Sequence, residues 1–123
     1  YEIYGATDGE AREEIRKKLE QESGAVLVAS YGTFSTGANV KKLHHVVLFS
    51  SYKSQIKILQ SIGRGLRKHE SKEYMILWDV VDQLSYSDGR KKFKNWTYLH
   101  WEQNRLKYYD EQQFEYENYY LEI

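Results

Sequence analysis

At 123 residues the chain is one domain, large enough to bury roughly two thirds of its unfolded surface and too short for two α/β domains. Its 41% hydrophobic and 29% charged content is ordinary for a globular chain, and the lack of cysteine excludes a disulfide framework and a thiolate metal site, which fits a reducing cytoplasm. No apolar run reaches about 18 residues and no signal-peptide pattern opens the chain, so neither membrane insertion nor secretion is expected.

The chain opens on Tyr1 without methionine and is expected to be a fragment or processed product of a longer one. Residues 1–4 alternate weakly and stop at Gly5, predicting the tail of a strand. Thr7 with Glu10 three positions on is a capping-box pattern, and residues 11–20 continue as a charged helix with Ile15 and Leu19 on one face. Residues 25–29 (AVLVA) are a short apolar run after Gly24, which predicts a strand buried on both faces. Residues 46–49 (VVLF) and 75–78 (MILW) repeat that signature. Helix, strand, loop, strand, helix, strand in this spacing predicts an α/β fold with a parallel sheet covered on both sides.

Between the first two apolar runs, residues 30–40 (SYGTFSTGANV) read as a loop beyond the carboxyl end of a strand, where open α/β sheets bind ligands. Its glycines and hydroxyls leave backbone N–H groups and side-chain oxygens open to phosphate, although a Gly/Ser/Thr cluster by itself is more often only a loop. Residues 53–69 (KSQIKILQSIGRGLRKH) read as a helix with Ile56, Leu59, Gly63 and Leu66 on a buried stripe and Lys57, Gln60, Arg64 and Arg67 on a polar one. Two arginines one turn apart make a fork for phosphate oxygens, or else a solvated basic face. Gly63 and Gly65 each cost a helix about 1 kcal/mol against alanine, which calls for a reason such as a closely packed backbone. Charge supports the phosphate reading: residues 41–72 hold eight Lys or Arg, Lys53 among them, against one acid, Glu70.

Asp79 and Asp82 read as a polar strand terminus rather than a metal pair, and His44 and His45 as ordinary surface or loop histidines lacking a third ligand. A turn at Ser87-Asp88-Gly89 leads into a small basic cluster of Arg90, Lys91, Lys92 and Lys94. Residues 93–109 read as a helix with Phe93, Trp96, Leu99 and Leu106 on one side, its rings packed rather than stacked on bases, and residues 114–123 as a possible final strand.

Gln60, Gly63, Arg64 and Arg67 spell Q-x-x-G-R-x-x-R, which resembles motif VI of superfamily 2 helicases and DNA translocases. Residues 30–40 resemble motif V of the same superfamily, and the order motif V, strand, motif VI matches over residues 1–82. Within it, the wording ASYGTFSTG and QSIGRGLRKH is similar to phage UvsW-type recombination helicases, which remodel branched DNA. The resemblance implies a second RecA-like domain over residues 1–84, its N-terminal part missing, with residues 85–123 as a helical extension and final strand. It implies Arg67 as arginine finger, Arg64 as a second γ-phosphate contact and Gln60 as a polar link across the interdomain cleft. Gly37 would approach the nucleotide together with Asn39, where many members carry aspartate. Ser30, Thr33 or Thr36 would meet nucleic-acid phosphates, joined by Lys53 and Lys57. ATP with Mg²⁺ would sit mainly on a first RecA-like domain of the same protein, because no G-x-x-x-x-G-K-[ST] loop and no paired acids of the second nucleotide-binding motif occur here. Alone, the chain is expected to be inactive. A restriction-type translocase, an RNA substrate, and a free-standing nucleic-acid-binding or regulatory module remain open alternatives.

Overall fold

The computed structural model describes residues 1–37, 40–49, 57, 59, 60, 62, 63, 73–93 and 95–123. Among them, one compact unit falls within Tyr1–Leu48 and Ile56–Asp79, the other within Phe49–Gln55 and Val80–Ile123. In the first, β1 (Glu2–Ile3) pairs in parallel with β2 (Val28–Ala29), Glu2 opposite Val28 and Ile3 opposite Ala29. Parallel neighbours need a crossover, which α1 (Gly9–Gln21) supplies. Asp8 caps it, accepting from the Ala11 amide at 2.8 Å. The capping-box expectation is thus corrected by one residue: Thr7 Oγ1 instead accepts the Tyr4 amide at 3.1 Å, closing the turn before the helix. Strong helix formers and ion pairs from Arg16 to Glu13 and Glu20 and from Lys18 to Glu14 hold the exposed side. Leu19 faces the core, and Gly24, at φ +73°, turns the chain back toward β2.

A second parallel pair joins β3 (His45–Leu48) to β4 (Ile76–Asp79) with His45 opposite Ile76 and Leu48 opposite Asp79. The expected parallel α/β pairing is present, but as separate two-stranded sheets rather than one continuous sheet. Burial on both faces is also corrected. Val46 and Leu48 are buried while His45 and Val47 are exposed, and Val28 and Val26 are 61% and 70% exposed. An unbroken apolar run fits either geometry, because alternation shows only when the outward residues are polar.

The residues between those strands carry two further corrections. Residues 31–37 are not loop but a short helix, α2 (Tyr31–Gly37). Ser30 starts it, its carbonyl accepting the Phe34 amide at 2.9 Å and its Oγ the Thr33 amide at 3.4 Å. Farther on, Lys57, Leu59, Gln60, Ile62 and Gly63 are helical, but Ile62 is buried at 4% exposure while Leu59 is 38% exposed and Gly63 exposed. The buried direction passes through Ile62 because a branched side chain has area to bury and glycine has none. Among the described residues, a Cβ built on Gly63 meets nothing within 4 Å, so they do not supply the close backbone contact expected there. Ile56 and Leu66 lie outside the described residues.

In the second unit, β5 (Tyr86–Ser87) and β6 (Lys92–Phe93) form an antiparallel hairpin. Phe93 therefore belongs to a strand, not to the helix assigned from its spacing with Trp96. The helix begins at α3 (Trp96–His100), passes through a π-helical stretch, Trp101–Arg105, and continues as α4 (Leu106–Glu111). The Leu106 amide reaches back five residues to the Trp101 carbonyl. That extra residue rotates the remainder of the helix, so the buried side chains are Arg105, Tyr108 and Tyr109 rather than the predicted stripe, and Trp96 is 51% exposed. Asn95 fastens the entry: its Oδ1 accepts the Leu84 amide and its Nδ2 donates to the Asp82 carbonyl. Residues 114–123 form no strand; Phe114 and Tyr116 pack on Tyr109, and Tyr119 to Ile123 are exposed.

Candidate functional site

The carboxyl end of the β1–β2 pair is the best-defined edge. Ser30 extends the ladder, its amide donating to the Ile3 carbonyl at 3.2 Å, and so stands beside the turn that follows β1. Arg12, half-buried on α1, holds that turn: Nε donates to the Thr7 carbonyl at 2.8 Å and Nη2 to Gly5 at 3.2 Å and Tyr4 at 3.4 Å. One guanidinium thus satisfies three carbonyls at a strand tip, which fixes the floor on which Ser30 sits. In the sequence Arg12 is one of many charges on a solvated helix; the only signal is its distance of one turn from the helix start.

Across the β2–α2 junction Ser30 Oγ donates to Thr33 Oγ1 at 2.9 Å, and Thr33 is buried at 6% exposure. The hydroxyls expected to meet phosphate are brought together and satisfy each other. Ser30 is the exposed member of the pair and Thr33 the buried one. Thr36 and Gly37 lie in α2. Lys57 is helical and half-buried, and Gln60 is helical and exposed. Asn39, Lys53, Arg64 and Arg67 lie outside the described residues.

The basic block is partly committed to structure. Lys42 Nζ donates to the Glu22 carbonyl at 2.9 Å, neutralising the carbonyl end of α1. His45 is exposed, a surface histidine as expected, and it opens β3, stacks on Trp78 with centroids 6.3 Å apart and accepts the indole N–H at Nδ1 at 3.0 Å. That bond places the proton of a neutral imidazole on Nε2. Asp79 ends β4, and the Asp82 carbonyl binds Asn95. Among the described residues no group of three His, Asp or Glu is placed to hold a metal ion. Also among them, no helix is long and apolar enough to cross a membrane.

Comparison with known proteins fits this order of elements. The family model for the helicase conserved C-terminal domain matches residues 1–69, from β1 through the Q-x-x-G-R-x-x-R segment. The chain is 44% identical over 103 residues to the ATP-dependent DNA helicase uvsW of Enterobacteria phage T4, covering 80% of this chain and 20% of that protein. It is 30% identical over 96 residues to a putative ATP-dependent RNA helicase, L396, of Acanthamoeba polyphaga mimivirus, covering 78% of this chain and 16% of that protein. The chain thus spans a fifth or less of the length of these relatives. No solved structure matches it.

Proposed function

Because the chain belongs to the family of helicase conserved C-terminal domains, we propose that it is the second RecA-like domain of an ATP-dependent superfamily 2 motor that unwinds or branch-migrates DNA in recombination, repair or replication. The single observation that carries this reading is the family match over residues 1–69, which ends just past Arg67. Support for DNA over RNA is the higher identity to the phage DNA helicase than to the mimivirus RNA helicase. Residues 1–84 are the RecA-like domain and 85–123 its extension. A first RecA-like domain of the same protein holds ATP and Mg²⁺, and the product works in the cytoplasm of a bacterium or a phage-infected cell.

In this mechanism the chain contributes charge and position. Closure of the two domains brings the Arg67 guanidinium to the γ-phosphate, where negative charge redistributes in the transition state; Arg64 holds a second oxygen and Gln60 bridges the cleft. Ser30 and Thr33, together with Thr36, Lys53 and Lys57, bind the nucleic-acid backbone, while Gly37 and Asn39 contact the nucleotide. Arg12 keeps the strand tip in place, so closure moves the corner as a rigid body.

The test is DNA-stimulated ATP turnover of the full-length protein. Arg67→Ala is expected to lower kcat by about 10³-fold or more with little change in nucleotide affinity. Turnover within twofold of the parent, or a parent with no ATPase at all, sinks the motor reading and favours a free-standing nucleic-acid-binding module.

A further inference from the structure

The hairpin of the second unit carries a binding surface that the motor reading does not use. Tyr86 and Phe93 face each other across β5 and β6, and one face of an antiparallel pair holds both rings. Their centroids lie 4.7 Å apart with 15° between the planes. Stacked aromatic pairs usually sit in a core, but these rings are 61% and 40% exposed. Close by, Arg90 and Lys91 stand in the turn and Lys92 at the start of β6, all exposed, and among the described residues none of the three forms an ion pair.

The turn is built to hold that display. Asp88 Oδ1 accepts the Lys91 amide at 2.7 Å and the Arg90 amide at 2.9 Å, and the Asp88 amide donates to the Lys91 carbonyl at 3.2 Å. Gly89 takes φ +85°, a conformation that side chains rarely adopt. The acid in the turn is thereby engaged by backbone amides, while Arg90 and Lys91 stand in the turn and Lys92 follows as the first residue of β6. A π surface beside a row of cations matches one ligand chemistry: unpaired bases stack on the rings while their phosphates meet the cations. A duplex offers phosphate but hides its base faces, so it uses only half of this surface.

We propose that the β5–β6 hairpin is a contact for single-stranded nucleic acid, with Tyr86 and Phe93 as stacking platform and Arg90, Lys91 and Lys92 as phosphate contacts. The proposal shares with the motor reading only the class of ligand. Its test uses no nucleotide, so the two fail separately.

The measurement is fluorescence anisotropy of a labelled oligo-dT strand, and of a duplex of equal length, with the full-length protein. Replacing both rings by leucine (Tyr86→Leu with Phe93→Leu) keeps an apolar cross-strand pair and removes the π faces. It is expected to weaken oligo-dT binding about tenfold or more and duplex binding by less than twofold. Tyr86→Phe is expected to bind as the parent does. Arg90→Ala, Lys91→Ala and Lys92→Ala together are expected to lower the slope of log affinity against log salt by about 2, three contacts at roughly 0.7 each. Oligo-dT binding by the leucine pair within twofold of the parent overturns the proposal. So does an equal loss on duplex, a loss with Tyr86→Phe as large as with leucine, or a salt slope that the triple variant leaves unchanged.

Discussion

Ile62 and Leu59 are both helical and three residues apart in the chain, and the structure gives them opposite environments. Ile62→Ala removes a buried branched side chain and is expected to cost about 2–5 kcal/mol, the range for such truncations in a packed core. Leu59→Ala, at a position already 38% exposed, is expected to cost less than about 1 kcal/mol. Urea unfolding of the two variants compares them directly, and a larger cost at Leu59 would restore the stripe read from the sequence. That stripe misled because its four members include a glycine: spacing counts positions, whereas burial rewards area. The same limit applies at the phosphate corner. Ser30 and Thr33 were recognisable as hydroxyls at the tip of a strand, yet their mutual bond depends on α2 beginning at Tyr31, and a segment with two glycines gives no sign of a helix.

Among the elements, the hairpin was half legible. Asp88-Gly89 announces a turn, but Phe93 stands three residues before Trp96 and fits a helix face as well as a strand. Cross-strand stacking with Tyr86 decides for the strand, and only the fold supplies that partner. The π-helical stretch is the other illegible element, since nothing in WEQNR distinguishes a five-residue step from an ordinary turn. The hairpin yields a pH prediction. The amides of Lys91, and then of Arg90, hold the Asp88 carboxyl below the ordinary aspartate value of 3.8. A lowered folded value means that the carboxylate's support of the turn is complete above 3.8 and is lost as the pH falls through the depressed value. The Arg90 and Lys91 amide resonances are therefore expected to hold steady from neutral pH down to about 4 and to shift below it. Asp88→Asn keeps the acceptor oxygen and is expected to keep the hairpin while abolishing that acid response; persistence of the response in the variant would assign it elsewhere.

For the molecule as a whole, the order of elements was the most legible feature: apolar runs separated by a helix do form parallel pairs. Coverage was not legible, and the structure leaves Val26, Val28, Val47 and Trp78 exposed. Apolar surface of this kind on short strands favours association, so the 123-residue chain by itself is expected to bind a hydrophobic dye and to scatter light increasingly with concentration. Val28→Thr with Val47→Thr is expected to reduce both signals; a monomer without dye binding at high micromolar concentration contradicts the exposure. The parallel pairing also dictates how the chain acquires its shape. Glu2 must wait for Val28 and His45 for Ile76, whereas Ser87 meets Lys92 across a turn. Short loops close in well under a microsecond and hairpins form within microseconds, while distant partners lose more chain entropy before any contact rewards them. The hairpin and α1 therefore mature first, and the two parallel ladders, the β1–β2 one with the phosphate corner at its end, are the last part of the fold to become native.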